Sequence, residues 1–325
     1  MSQSPAARRL LVAIVLLGYS SPDVCCSAVA LDALGLYLTK EGYGGAQLVH
    51  PENFYFLPIQ SNGKRGNLVI DTGAPTSLIF RQSLKTLALT ESKTKAPVSG
   101  AFGSSREFFG LTTIKALTVG NCTLTNVPVT VARGTGGDMF SRRRSNGLLG
   151  LRELIKFGAI LDLPNRLIYL RPSRPGEEVG VGIKSILLRQ GFTPVPLSVA
   201  GFHLHVPGAA KGVPCSFLVD TGAYLTALDR DFASRAKIQP VHARLTAVGL
   251  GSSRGDVGLA IFPSLRIGNY EIKRGSASIV RLDPGLVGRG TSSEIAGLLG
   301  IDHLAMNSAI FDLVTGTLYL RPRSR

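Results

Sequence analysis

The sequence contains one long internal repeat, with a period of about 149 residues. The segment NLVIDTGAPTSLIF (67–80) corresponds to SFLVDTGAYLTALD (216–229), which places Asp71 and Asp220 149 positions apart. Two further pairs of segments, 102–121 with 250–269 and 146–172 with 296–322, keep the same order at offsets of 148 and 150. Because solenoid repeats are far shorter, roughly 20 to 50 residues, this period indicates two related lobes.

Short apolar segments predict that both lobes consist mainly of strands. NLVI, TTIKALTVG and LIYLRP in the first half, and SFLV and TLYLRP in the second, are rich in β-branched residues and bounded by Gly, Pro or Asn. Helices are expected to be few and short: residues 81–89, the equivalent residues 229–237, and a turn or two after each Gly-Leu-Leu-Gly. The pattern is typical of an all-β fold.

The repeat and the composition divide the chain into four parts. We assign residues 1–30 to a signal peptide, 31–172 to an N-terminal lobe, 173–190 to a linker and 191–325 to a C-terminal lobe. The linker assignment depends on the Pro, Gly and charged residues of RPSRPGEEVGVG (171–182). Residues 31–50 form either a short pro-segment or the first strand of the N-terminal lobe.

The first 30 residues have the features of a secretory signal peptide. Arg8 and Arg9 precede the apolar stretch LLVAIVLLG (10–18), and Ala28-Val29-Ala30 fits a cleavage site of small residues. The apolar stretch is short for a helix that spans a bilayer. The sequence therefore predicts a secreted or periplasmic protein with no stable membrane span after cleavage. An uncleaved anchor is the alternative.

Cleavage after residue 30 would leave two cysteines, Cys122 and Cys215. Exported proteins can form disulfides. These two residues lie in different halves and at different points of the repeat, so we expect them to be unpaired. A disulfide between them is the alternative, because geometry decides pairing.

The net charge of +15 favours contact with polyanions, but charge alone is not a specific nucleic-acid site. No helix-turn-helix, zinc-finger or aromatic RNA-binding signature accompanies it, so we expect no specific nucleic-acid partner. His203 and His205 lie two apart on a predicted strand, without a cysteine or carboxylate cluster nearby in the sequence. We expect them on a solvated face rather than at a metal site, and we predict neither a metal nor a cofactor.

The repeated Asp-Thr-Gly phrase supplies the candidate chemistry. Two lobes related by a pseudo-twofold axis can bring equivalent loops together, so that Asp71 faces Asp220. Two carboxylates a few ångströms apart cannot both ionise easily and share a proton. Such a pair can deprotonate a water molecule and protonate a carbonyl oxygen in the same step.

The residues around each aspartate fit the same arrangement. Gly73 and Gly222 would allow a tight turn and a close approach of backbones. Thr72 and Thr221 carry hydroxyls that can brace one loop against the other. Asp162 and Asp312 also recur in the repeat, but we interpret them as turn or strand-end residues.

The chain resembles the aspartic proteases of the pepsin/retropepsin superfamily. Its Asp-Thr-Gly-Ala form, with Ala74 and Ala223, is similar to the retropepsin-like branch. The blocks 147–150 and 297–300, both Gly-Leu-Leu-Gly, match the hydrophobic-hydrophobic-Gly motif that this superfamily places near its catalytic loops. The resemblance covers most of residues 50–322. It implies a bilobal acid-protease fold, with two related β-barrel lobes, pseudo-twofold symmetry and a cleft between them.

The resemblance also implies a β-hairpin flap over the cleft. By position, the segments SGAFGSS (99–105) and AVGLGSS (247–253) are the candidates, and both are rich in Gly and Ser. The candidate flap residues are Gly100, Phe102, Gly103, Gly249, Leu250 and Gly251. Two such segments resemble the symmetric retropepsin arrangement, whereas pepsin-like enzymes have one flap with a Tyr that is absent from both segments.

The resemblance implies an aspartic endopeptidase that acts on a peptide or protein substrate through Asp71 and Asp220. The internal duplication predicts a monomer, because each chain already contains both halves of the site. Ala74 and Ala223 lack the hydroxyl that pepsin-like members carry, which predicts activity at mildly acidic to near-neutral pH. The alternatives are a catalytically silent peptide-binding protein and an envelope protein on the same fold.

Overall fold

The structure is a computed structural model that describes residues 32–50, 54–92, 95–100, 103–132, 145–171, 180–248, 254–283 and 295–323. The described residues form an all-β, bilobal structure in which every main strand of the first half has an equivalent in the second. The predicted signal peptide, residues 1–30, lies outside the described residues.

The N-terminal half begins with a helix and continues through ten described strands. Its elements are α1 (Ala33–Lys40), β1 (Gly44–Gln47), β2 (Phe56–Ser61), β3 (Lys64–Asp71), β4 (Leu78–Phe80), the 3-10 turn Arg81–Ser83, β5 (Lys95–Gly100), β6 (Gly103–Val119), β7 (Cys122–Ala132), β8 (Gly147–Gly150), α2 (Leu151–Lys156), β9 (Ile160–Asp162) and β10 (Leu167–Leu170).

The C-terminal half repeats this order. Its elements are α3 (Gly180–Arg189), β11 (Thr193–Pro196), β12 (Ser198–Ala200), β13 (His203–Ala210), β14 (Val213–Val219), β15 (Ala227–Asp229), α4 (Arg230–Arg235), β16 (Val241–Val248), β17 (Arg254–Ile267), β18 (Tyr270–Val280), β19 (Ile295–Leu299), α5 (Ile301–Met306), β20 (Ile310–Asp312) and β21 (Thr317–Leu320).

Each half folds its strands into a closed barrel. In the N-terminal lobe the order is β2-β3-β8-β4-β7-β6, and a further pairing between β2 and β6 closes the ring. In the C-terminal lobe the order is β13-β14-β19-β15-β18-β17, closed by pairing of β13 with β17. The hairpin partners β5 and β16 extend the two barrels at equivalent positions. Closure leaves the barrel strands no unpaired edge at that point.

A third sheet joins the lobes and takes three strands from each half. Its order is β1-β10-β9-β20-β21-β11. At its centre β9 and β20 pair antiparallel, with Leu161 opposite Phe311. The apolar side chains of this sheet are buried, so the lobes share a continuous core rather than a solvated interface.

Helices α1 and α3 are equivalent elements that the sequence prediction missed. They pack together and bury Leu34, Leu38, Ile183 and Leu187 in one cluster with strands of the joining sheet. Asp32 caps the start of α1, because its carboxylate accepts a hydrogen bond from the Gly35 N–H at 2.9 Å. Residues 31–50 therefore contribute a helix and strand β1 to the core, and residues 180–189 of the predicted linker are helical.

The prediction of a helix at residues 81–89 is correct only for its first turn. Arg81–Ser83 form a 3-10 turn, and Ala88 adopts a positive φ of 52°. The equivalent helix α4 forms as predicted, because Asp229 caps it by accepting hydrogen bonds from Asp231 N–H and Phe232 N–H. The residue at the equivalent cap position of the first half is Phe80, which makes no side-chain cap.

The structure places Asp162 and Asp312 at the ends of strands β9 and β20, consistent with the prediction of turn or strand-end residues. Asp162 accepts hydrogen bonds from the backbone and side-chain amides of Asn165 at 3.0 and 2.8 Å. Asp312 accepts bonds from Val314 N–H, Thr315 N–H and the Thr315 hydroxyl. Both aspartates are fully buried.

Cys122 and Cys215 are both free thiols in the structure, as expected. Both are buried, and burial raises the pKa of Cys215 to about 12. The helices among the described residues are all too short or too polar to cross a lipid bilayer.

Candidate active site

Two equivalent loops meet at the pseudo-twofold axis. Asp71 ends strand β3, which runs parallel to β8, and Asp220 follows β14, which runs parallel to β19. The two Gly-Leu-Leu-Gly strands thus flank the aspartates, as the motif match implied. The carboxyl groups of Asp71 and Asp220 interact directly with each other. Asp71 is buried and Asp220 is partly buried.

The threonines lock the two loops together through four reciprocal hydrogen bonds. The Thr72 N–H donates to Thr221 Oγ1 and the Thr221 N–H donates to Thr72 Oγ1, both at 3.0 Å. The hydroxyls then donate across the axis, from Thr72 to the Val219 carbonyl and from Thr221 to the Ile70 carbonyl, both at 2.8 Å. Both threonines are fully buried, so each hydroxyl acts as donor and acceptor without competition from water.

Backbone amides hold each carboxylate in the same way. Asp71 Oδ1 accepts from the N–H groups of Gly73 and Ala74, both at 3.0 Å. Asp220 Oδ1 accepts from Gly222 and Ala223 at 2.8 and 3.0 Å. One oxygen of each aspartate is thereby held by two backbone amides.

The glycines are required for space rather than for an unusual backbone conformation. A Cβ on Gly73 would collide with the carboxyl group of Asp220, and a Cβ on Gly222 would collide with that of Asp71. Neither glycine is among those with a positive φ. The close approach expected from the sequence is therefore present, and it is a contact with the opposite aspartate.

Burial and mutual repulsion set the protonation of the pair. Burial raises the pKa of Asp71 well above its ordinary value, and the charge of Asp220 raises it further. Burial also raises the pKa of Asp220, against the two backbone hydrogen bonds that lower it. The pair therefore retains one shared proton at a pH where isolated aspartates have lost theirs.

The model of one protein family, described as "Aspartyl protease", matches residues 57–152 and 206–303. The two matched segments cover more than half of the chain and contain one Asp-Thr-Gly loop each. The chain belongs to the aspartyl protease family.

A solved aspartic proteinase has the same fold. The aspartic proteinase from Irpex lacteus superposes with a TM-score of 0.53 at 16% identity, covering 87% of this chain and 98% of that one. Basic 7S globulin from soybean covers 87% of this chain and 95% of its own, with a TM-score of 0.48 and 11% identity. Curated protein sequences gave no match.

This member of the aspartyl protease family carries a second layer of support that the sequence prediction missed. Ser77 and Thr226, six residues after the aspartates, connect the two Asp-Thr-Gly loops to helices α2 and α5. Glu153 accepts from the N–H and hydroxyl of Ser77 at 2.8 and 2.7 Å, and Asp302 accepts from those of Thr226 at 2.9 and 2.7 Å. The repeat offset of 149 relates both pairs and could have identified them.

The candidate flaps fall only partly within the described residues. Gly100 and Gly103 end a hairpin, where they face each other across strands β5 and β6. In the second half Val248 pairs with Arg254, so β16 and β17 also form a hairpin. Phe102, Gly249, Leu250 and Gly251 lie outside the described residues.

The expectation of a solvated face for His203 and His205 is wrong. His205 is 2% exposed, and its Nε2 lies 2.9 Å from the Ala200 carbonyl oxygen. His203 is partly buried, and burial lowers its pKa. Among the described residues, no group of His, Cys, Asp and Glu side chains has the arrangement of a metal site.

Proposed function

We propose that the protein is an aspartic endopeptidase that hydrolyses peptide bonds in an extended substrate. The observation that carries this proposal is the contact between Asp71 and Asp220 in loops braced by Thr72 and Thr221. Membership of the aspartyl protease family supports a protease-like function. A protein that merely retained the fold would not need two matched carboxyls in contact at the axis.

The reaction follows from one shared proton. The ionised carboxylate takes a proton from a water molecule, whose oxygen attacks the peptide carbonyl carbon, while the protonated carboxyl donates to the carbonyl oxygen. Collapse of the tetrahedral species breaks the C–N bond: the proton taken from water passes to the leaving nitrogen, and a hydroxyl of the tetrahedral diol returns its proton to the other carboxylate as the carbonyl forms again. No covalent intermediate with the protein forms, and the two aspartates end with one proton between them.

The substrate backbone is proposed to lie as an added strand between the lobes and the hairpins β5–β6 and β16–β17. Backbone pairing of this kind gives affinity without sequence preference, and side-chain pockets then give specificity. Closure over the substrate would exclude water from the carboxyl pair. The duplicated chain supplies both halves, so we propose that it acts as a monomer.

The working pH is proposed to be mildly acidic to near neutral. Ala74 and Ala223 offer no hydroxyl that would stabilise the ionised carboxylates, and burial raises the pKa of both. The single-proton state therefore persists to higher pH than in an exposed pair. A rate profile that peaks only at very low pH would contradict this.

The test compares the purified chain with Asp71→Asn and Asp220→Asn on casein and a peptide library between about pH 3 and 8, where each variant should lose about 1,000-fold or more in kcat/KM. Asp312→Asn is the matched control, since it alters a buried aspartate of the same lobe as Asp220 but outside the site, and it should retain cleavage. Peptide binding without cleavage by the unaltered chain would favour a silent binding protein. Neither binding nor cleavage would favour an envelope role.

Export is proposed from the sequence features of residues 1–30. Mass spectrometry of the mature chain should show an N-terminus at residue 31. A mature chain that begins well beyond residue 33 would lack part of α1, whose residues Leu34 and Leu38 are fully buried, and would contradict this boundary.

A further inference from the structure

Two exposed apolar side chains follow the second Asp-Thr-Gly loop directly. Tyr224 and Leu225 come just after the Ala223 N–H that binds Asp220, and they are 42% and 39% exposed. Thr226, the next residue, is fully buried and held by Asp302 through two hydrogen bonds. The two apolar side chains thus belong to a short segment that is fixed at both ends beside the carboxyl pair.

The ring of Tyr224 reaches the opposite lobe. Its centroid lies 5.8 Å from that of Phe54, with the two rings inclined at 46°, a separation at which aromatic rings attract each other. Phe54 is fully buried and belongs to an apolar cluster of the N-terminal lobe that also contains Phe56 and Phe80. One part of the Tyr224 ring is therefore supported by the other lobe, and the rest of its surface is open to a bound molecule.

The first half has different side chains at the equivalent positions. The residues 149 positions before Tyr224 and Leu225 are Pro75 and Thr76. Pro75 is exposed and Thr76 is partly buried. Proline is smaller than tyrosine and has no aromatic ring, and threonine replaces part of the apolar surface of leucine by a hydroxyl. The apolar surface beside the second Asp-Thr-Gly loop is therefore larger than that beside the first.

The backbone of the two segments is the same, so the difference between them lies in the side chains. The N–H groups of Ala74 and Ala223 each donate to the aspartate of their own loop at 3.0 Å. The carbonyls of the same two alanines accept hydrogen bonds from Leu151 and Ile301 at 2.8 and 2.9 Å. Because the backbones match, each pair of side chains can be exchanged for the other at the same place in the loop.

We propose that Tyr224 and Leu225 are specificity-determining residues that fix the direction in which a peptide lies across the carboxyl pair. In a site with two identical halves, the residues before and after the scissile bond would meet identical surroundings. Here a bulky apolar side chain of the substrate buries more apolar surface next to Tyr224 and Leu225 than next to Pro75 and Thr76. This inference rests on the proposed protease function and names its substrates as peptides with a bulky apolar residue on one side of the scissile bond only.

The first test maps cleavage sites in a randomised peptide library by mass spectrometry. With the unaltered chain, Phe, Tyr, Leu and Ile should be enriched on one side of the scissile bond only. The double variant Tyr224→Pro/Leu225→Thr copies the first half and should lose this enrichment. For a preferred peptide and its Ala counterpart, the ratio of kcat/KM values should fall by about 10-fold or more in the variant. Equal enrichment on both sides in the unaltered chain, or an unchanged ratio in the variant, would overturn the inference.

The reciprocal variant Pro75→Tyr/Thr76→Leu should produce apolar enrichment on both sides of the scissile bond. The single variants Tyr224→Ala and Leu225→Thr replace a double variant that does not fold. Val314→Thr is the matched control, because Val314 is also 42% exposed but lies in the turn after β20, and this variant should leave the cleavage profile unchanged. A folded reciprocal variant without new enrichment, or the same loss of enrichment in Val314→Thr, would contradict the role of these positions.

The second test measures binding without cleavage. Fluorescein-labelled peptides of Gly and Ser with one central Phe or one central Ala are titrated with the full-length Asp71→Asn variant, and binding is followed by fluorescence anisotropy. The Phe peptide should bind about 10-fold more tightly, and the added substitutions Tyr224→Pro/Leu225→Thr should remove the difference. An unaltered chain that cleaves no peptide would refute the proposed function, yet this titration would still decide the role of Tyr224 and Leu225. Equal affinity for the two peptides, or no binding of either, would refute that role.

Discussion

The two lobes make matching hydrogen bonds at the pseudo-twofold axis, but the residues that support the loops further from the axis differ. At the axis every hydrogen bond of Thr72 has a counterpart of equal length at Thr221. The carboxylates that accept hydrogen bonds from Ser77 and Thr226 differ between the lobes. Glu153 is fully buried and also accepts a hydrogen bond from Arg152, whereas Asp302 is partly buried. We infer that the two halves must match at the threonines of the Asp-Thr-Gly loops, whereas the residues at positions 153 and 302 can differ.

The largest effect on peptide cleavage should come from Gly73 and Gly222, each of which lies against the aspartate of the opposite lobe. Gly73→Ala and Gly222→Ala each push a methyl group into the other lobe's aspartate, and displacement of a reacting group by about 1 Å costs on the order of 100-fold in rate. Peptide cleavage should fall by this factor in both variants. Lys64→Ala, which removes an exposed side chain at the start of β3, controls for general effects and should retain cleavage. Normal cleavage by Gly73→Ala would contradict the geometry.

The next largest effect tests the equivalence of the threonines. Thr72→Val and Thr221→Val each leave one buried N–H and one buried carbonyl without a partner, which should lower the free energy of unfolding by about 3 kcal/mol. The urea midpoints of the two variants should agree. A difference of more than about 1 kcal/mol between the two variants would show that the two threonines contribute unequally to the free energy of unfolding.

The pH dependence of stability compares Asp162 with Asp312. Burial raises the pKa of Asp162 to about 6, above the value of about 3.9 for an unfolded aspartate. The folded state binds the proton more tightly, so this contribution to stability is complete below about pH 4 and is lost as the pH rises through about 6, on the order of 3 kcal/mol.

Asp162→Asn should therefore flatten the fall in stability between about pH 4 and 7, as measured by urea unfolding. Burial also raises the pKa of Asp312, but three hydrogen bonds to its carboxylate oppose the rise. Asp312→Asn should flatten the curve less. An unchanged slope in Asp162→Asn would contradict the assignment.

The smallest predicted effect is a difference in stability between substitutions of Glu153 and Asp302, the carboxylates that accept hydrogen bonds from Ser77 and Thr226. Glu153 uses one oxygen for Ser77 and the other for Arg152, so an amide in Glu153→Gln must turn its NH₂ toward a donor and should cost about 2 kcal/mol. Asp302 accepts both bonds from Thr226 with Oδ1, which Asp302→Asn keeps, and the cost should be below about 1 kcal/mol. Equal thermal unfolding shifts would show that the two braces are equivalent after all.

The sequence predicts the fold and the two aspartates of the site because the short motifs that form them occur once in each half of the chain. Asp71 and Asp220 stand in matched phrases, and the Gly-Leu-Leu-Gly blocks recur at the same distance. The helices α1 and α3 were missed because their repeat is weak: Lys40-Glu41-Gly42-Tyr43 corresponds only in character to Arg189-Gln190-Gly191-Phe192.

The structure shows what that weak similarity preserves. The guanidinium of Arg171 lies 5.1 Å from the ring centroid of Tyr43, and that of Arg321 lies 4.4 Å from the ring centroid of Phe192. Each arginine also donates to the carbonyl of the residue two positions before its ring. These long-range contacts leave no periodic signal, so sequence patterns alone could not reveal them.

The central ladder of the joining sheet has a consequence for how such a chain could arise. Ile310 pairs with Asp162 and Asp312 pairs with Ile160, a register that reads the same from either lobe. A half-length ancestor could therefore have formed this ladder with a second copy of itself. Fusion of two copies then made the association of the two halves intramolecular, so that it no longer depended on protein concentration. Fusion also allowed equivalent positions, such as Phe54 and His203, to change independently.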